Sequence, residues 1–106
     1  MKKFRTYQAA RQFYLETKKT NFEGPARDQF RRALLSVCLN LAEGSGKTTA
    51  KERARFYSIA LGSLREVQAL LDLFQYEPEY QKADRLGAMI FRLIQRPGSA
   101  PVCRSA

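Results

Sequence analysis

The chain has 106 residues, a length that suits one compact domain and leaves no room for a second. Nineteen lysines and arginines against ten aspartates and glutamates give a formal charge of +9, and there is no histidine, so polyanions are the natural partners while the commonest general base and metal ligand is missing. No cofactor or metal site is expected, and 44% hydrophobic with 27% charged residues argues against a disordered chain.

Four segments carry a helical apolar period. The first runs from about Phe4 to Thr20, with Phe4, Tyr7, Ala10, Tyr14 and Leu15 on one face, and Asn21 to Gly24 forms its exit. Pro25 suits the first turn of a second helix, with Gly24 as its cap. That helix reaches Glu43 and stops at Gly44-Ser45-Gly46. Thr49, followed three residues later by Glu52, reads as a capping box that opens the third and longest helix. Its expected stripe is Phe56, Ile59, Ala60, Ser63, Val67, Leu70, Leu71 and Phe74, and it ends near Tyr76, before Pro78. A fourth helix, from about Glu79 to Gln95, presents Ala83, Leu86, Ile90 and Leu93. Residues 97–106 hold two prolines and no period, which reads as a flexible C-terminal tail.

No β-pattern or repeat occurs, so the expected fold is all-α, an antiparallel up-down-up-down four-helix bundle over residues 1–96. The two cysteines, Cys38 and Cys103, stand far apart and form no CxxC pair, which fits a reduced, cytoplasmic setting. The basic N-terminus is followed by no apolar signal segment, and no run is long enough to span a membrane, so neither secretion nor a membrane partner is expected.

The second helix departs from simple amphipathicity. Leu34, Leu35, Val37, Cys38, Leu39 and Leu41 surround nearly its whole circumference, more than one bundle core buries. Leu35 and Leu39 are therefore expected at an oligomer interface; the alternative is that they are ordinary exposed leucines.

Gly46-Lys47-Thr48 resembles the end of a phosphate-binding loop, but that pattern requires a glycine where Leu41 stands, and it joins a strand to a helix rather than two helices. A helix stop followed by a helix cap explains the same residues. Ser36, Asn40 and Glu43 fall on one edge of the second helix, and Ser63 and Glu66 flank the apolar face of the third. Polar groups at a core margin tend to bond one another, so a structural polar network is one reading. Acid-base or metal work by Glu43 and Glu66 is the other, and it lacks supporting histidine or aspartate. No catalytic residue is assigned, and the protein is read as a non-enzyme.

Asn40-Leu41-Ala42-Glu43-Gly44, Lys51-Glu52 with Phe56, Ala60-Leu61-Gly62-Ser63-Leu64-Arg65-Glu66 and Gln29-Phe30-Arg31-Arg32 resemble the motifs of a bacterial four-helix-bundle family. The family is named for proteins encoded in 23S ribosomal RNA intervening sequences and includes accessory variability proteins of diversity-generating retroelements. The resemblance implies a homo-oligomer, a pentameric ring, and, for the retroelement members, binding of RNA and a reverse transcriptase. Cys38 and Leu41 stand where small or β-branched residues are usual in that family.

Basic residues supply the candidate nucleic-acid contacts. Arg85, Arg92 and Arg96 share one side of the fourth helix, Arg5 and Lys19 lie on the outer side of the first, and Lys47, Lys51, Arg53 and Arg55 gather at the start of the third. Such stripes can follow a phosphate backbone, although a solvated face is their plainer meaning. No base-reading motif is present, so RNA or DNA would be held by shape and charge. These readings point to a non-enzymatic, oligomeric nucleic-acid-binding accessory protein, and the resemblance implies that it serves a reverse transcriptase. The competing reading is a protein-interaction scaffold of the intervening-sequence branch, whose basic face docks an acidic protein.

Overall fold

The computed structural model describes residues 4–95, which form four helices: α1 (Arg5–Thr17), α2 (Pro25–Ser45), α3 (Ala50–Leu73) and α4 (Glu77–Gln95). Arg96, Cys103 and the expected tail at 97–106 lie outside the described residues. The packed pairs are α1 with α2, α2 with α3, α3 with α4, and α4 with α1, which closes a four-cornered bundle. Each pair runs antiparallel. Ser36 meets Ser63 while Gly44 approaches Tyr57; Gln68 bonds Asp84 while Gly87 faces Leu64; Glu16 pairs with Lys82 while Arg5 and Arg92 line one cavity. Along α1 and α2, Tyr14 and Lys18 share a cavity with Arg31, and Tyr7 and Arg11 share another with Cys38 and Leu39.

The core is built from Phe30, Leu34, Val37 and Leu41 of α2, Leu64, Val67 and Leu71 of α3, Leu86, Ile90 and Leu93 of α4, and Ala10 and Phe13 of α1. Two buried faces differ from the pattern read along the chain. In α3 the buried line is Tyr57, Ala60, Leu64, Val67, Gln68 and Leu71, turned by about 60° from the expected stripe on a 3.6-residue helix. Ile59 and Phe74 of that stripe are exposed, and Ser63 and Leu70 sit at the margin. The cause is that α3 packs against both α2 and α4, so its buried face points between them. In α1 the buried side chains are Thr6, Ala10, Phe13 and Thr17, whereas Tyr7 and Tyr14 lie at the margin and Leu15 is exposed.

The connections explain the helix ends. The Thr49 side chain accepts a hydrogen bond from the Glu52 backbone N–H at 3.1 Å and caps α3. α3 ends in a Schellman turn: Gln75, at φ 62°, donates to the Asp72 carbonyl, and the Tyr76 N–H reaches the Leu71 carbonyl at 2.8 Å. Pro78 is not a stop after α3 but part of the first turn of α4, where a missing N–H leaves no bond unmade. Phe22 plugs this end of the bundle against Phe30, Phe74 and Tyr76, and the Tyr76 hydroxyl donates to the Asn21 carbonyl at 2.7 Å. No described helix is long and apolar enough to cross a membrane.

Candidate nucleic-acid interface

Antiparallel packing decides which cations meet. The start of α1, the end of α2, the start of α3 and the end of α4 share one end of the bundle, and this brings Arg5, Lys47, Lys51, Arg53, Arg55 and Arg92 together with only Glu43 and Glu52 among the acids. The other half carries Glu16, Glu23, Asp28, Glu66, Asp72, Glu77, Glu79 and Asp84, and these balance Lys18, Lys19, Arg27, Arg31, Arg32, Arg65, Lys82 and Arg85, while Arg11, at the middle of α1, stands between the two halves. The positive charge of the described chain is therefore axial, gathered at one end rather than running along one side. Arg85 lies seven residues from Arg92, about 10 Å along the helix, and belongs to the balanced half. Lys19 lies at the opposite end, where it lines a cavity with Tyr14, Lys18 and Arg31.

The basic residues differ in how they are held. Lys47 forms an ion pair with Glu43 at 3.0 Å and lies 5.1 Å from the centre of the Phe56 ring, and the Arg55 guanidinium lies 5.0 Å from the same ring. The Arg53 guanidinium donates to the Lys47 carbonyl at 3.2 Å and pins the α2–α3 connection. Arg5 and Arg92 line a cavity of about 210 Å3 with Thr6, Met89 and Leu93. Among the described residues no cluster of three or more His, Cys, Asp or Glu is placed to hold a metal.

A family model described as 23S rRNA-intervening sequence protein matches residues 2–95, nearly the whole chain. The chain belongs to this family. The curated proteins and the solved structures yield no match.

In this intervening-sequence family protein the motif residues have separable roles. The Ser36 and Ser63 hydroxyls lie 2.8 Å apart, and Asn40 Nδ2 donates to the Ser36 carbonyl at 2.9 Å and to the Ser36 hydroxyl at 3.1 Å. This half-buried triad registers α2 against α3. Glu43 is exposed and turned to Lys47, and Glu66 is exposed with no hydrogen bond or ion pair among the described residues, so neither carboxylate joins the triad. The Ser36–Ser63 contact sets Glu66 level with Ala33, ten residues and about 15 Å along the bundle from Glu43, so the two carboxylates do not face each other.

Gly44 of the same motif is buried against Phe56 and Tyr57. Cys38 is buried, which pushes its thiol up to about 11 and leaves it unreactive at neutral pH. Leu35 and Leu39 are 45% and 58% exposed and flank a groove between α1 and α2 that Tyr7, Tyr14, Leu15 and Cys38 also line. The axial gathering of charge could have been read from the sequence only by folding the four helical segments antiparallel before grouping their charges. Thr6 carries no such signal, because its place in the cavity depends on α4.

Proposed function

We propose that this intervening-sequence family protein is a non-enzymatic, homo-oligomeric nucleic-acid-binding accessory protein that engages RNA or DNA through the basic end of its bundle. The observation that carries this reading is the axial segregation of charge: six cations against two acids at one end, and balance at the other. A phosphate backbone drawn to such an end releases counterions with each phosphate neutralised, and this supplies affinity without base reading. Self-association rests on Leu35 and Leu39, one helical turn apart and exposed on α2 with Leu15 beside them, a side face that a second copy would cover. Five subunits and a reverse transcriptase partner follow only from the resemblance to retroelement accessory proteins and are tested separately, by mass and by co-purification.

The deciding experiment measures binding of a short single-stranded RNA against salt by fluorescence anisotropy. The parent binds at low salt and weakens steeply, by about 0.7 per phosphate in the slope of log affinity against log salt. Replacing Lys51, Arg55 and Arg92 together by glutamine flattens the slope, whereas replacing Lys19 and Arg85 leaves it nearly unchanged. Equal losses from both sets would remove the basic end as the interface. No binding at low salt would favour the scaffold reading with an acidic protein partner. Light scattering on the parent and on Leu39→Glu tests assembly: the parent runs as an oligomer, and the charged variant dissociates with its helix content intact.

A further inference from the structure

The cavity at the junction of α1 and α4 has features that a general basic surface does not need. Arg5 and Arg92 stand at its sides, Met89 and Leu93 supply an apolar wall, and Thr6 lines it while only 6% exposed. The Thr6 hydroxyl has no hydrogen-bond partner among the described residues, and buried polar groups are seldom left so. Neither guanidinium has an ion-pair partner there. Arg5 and Thr6 are also the first residues of α1, whose N-cap Phe4 offers no side-chain bond and whose first turn has no acid. Among the described residues, then, neither a side-chain cap nor a first-turn acid meets the positive pole and first N–H groups of this 13-residue helix. The opposing pole, the end of α4, is offset by Arg92 in its last turn.

We infer that this cavity is a clamp for a single phosphate group, held between the Arg5 and Arg92 guanidiniums with the Thr6 hydroxyl donating to one of its oxygens. The volume, about 210 Å3, is below the range of about 300–1,000 Å3 that sites for drug-sized ligands occupy, and suits a small anion. Planar guanidinium donors match phosphate oxygens in pairs, and a buried hydroxyl supplies direction that surface lysines lack. The phosphate belongs either to a nucleic-acid strand or to a free phosphate or phosphomonoester. The clamp stands on its own geometry and does not require the nucleic-acid reading.

The test titrates the full chain with inorganic phosphate by isothermal calorimetry, with chloride holding the ionic strength constant, and in parallel with short RNA by anisotropy. The parent binds phosphate saturably. Thr6→Val, which removes the hydroxyl at nearly the same shape, and Arg92→Gln each weaken it at least tenfold, while Lys19→Gln leaves it unchanged. Circular dichroism checks folding, and Arg5→Gln replaces Thr6→Val if that variant does not fold. Loss of phosphate and RNA affinity together supports the clamp and assigns it to a strand; loss of phosphate affinity alone supports it and assigns it to a small phosphate. A parent that shows no saturable phosphate binding, or variants that bind as the parent does, would overturn the clamp. A parent that binds phosphate but no RNA leaves the clamp standing and removes the nucleic-acid reading.

Discussion

Substituting alanine for Gly44 tests how closely α2 and α3 meet beside the basic end. A Cβ at this position would lie 2.7 Å from Tyr57 Cε1 and 3.0 Å from both Phe56 Cβ and Tyr57 Cδ1. Phe56 Cβ is fixed to the α3 backbone, so a swing of the Tyr57 ring cannot relieve the overlap, and that ring is itself buried and packed 6.0 Å from the Phe4 ring. Overpacking of this kind costs about 1–3 kcal/mol, and the better helix propensity of alanine offsets up to about 1 kcal/mol of it. With the full offset the expected net loss is up to about 2 kcal/mol. Gly62 is the control: it is exposed in mid-α3 and a Cβ there meets nothing within 4 Å, so Gly62→Ala should gain about 0.5–1 kcal/mol from propensity alone. Urea unfolding followed by circular dichroism, at one protein concentration because assembly shifts apparent stability, measures both variants. In a domain of this size each kcal/mol moves Tm by about 4–8 °C, so the two should separate clearly. A Gly44→Ala protein as stable as Gly62→Ala would refute the close approach.

Three further outcomes are expected. Ser36→Ala and Ser63→Ala should each cost about 0.5–1.5 kcal/mol, with the double variant losing less than the sum, while Glu66→Gln leaves stability unchanged; additive losses in thermal unfolding would contradict the shared hydroxyl bond. In a Cys103→Ser background Cys38 should resist thiol reagents until denaturant is added. Because burial raises its folded value to about 11, the unfolded thiol ionises first, so the stability it contributes is complete below about pH 8.5 and declines as pH rises toward 11; Cys38→Ala should show a shallower decline, and equal slopes would contradict this. Gln75→Gly should raise stability by about 0.5–1 kcal/mol, since a left-handed backbone strains residues with a Cβ, and an unchanged urea midpoint would show the turn to be relaxed.

The four helices were legible because their apolar periods and the Pro25 and Thr49 signals are local. The end of α3 was less so, because Gln75 takes the left-handed position where a glycine is the usual marker, and Pro78 reads as a stop until the chain before it is seen to have turned already. The α3 stripe read along the chain differs from the buried face for a packing reason. Phe56, Ile59 and Phe74 are large and apolar but lie off the line between α2 and α4, while Gln68 lies on it and is satisfied by Arg65 at 2.8 Å and Asp84 at 3.4 Å. Among site residues, helical spacing puts Ser36 and Asn40 on one edge of α2 and Ser63 beside the apolar face of α3, where polar margins tend to bond, but it puts Glu43 and Glu66 there too, and it leaves Arg5 and Arg92 on different stripes. A helical wheel discards the coordinate along the axis, which is the coordinate that joins them.

The uneven placement of charge also gives the molecule an electric dipole along its length. Under the proposed reading a polyanion would exert a torque on such a body before contact, turning the basic end forward, so that the strand would cross its end rather than lie along its flank. The long side that carries Leu35 and Leu39 then stays clear of the strand. In the proposed oligomer, copies standing side by side would each present their tip, so lateral growth of the assembly and occupancy of its tips would not compete for the same surface.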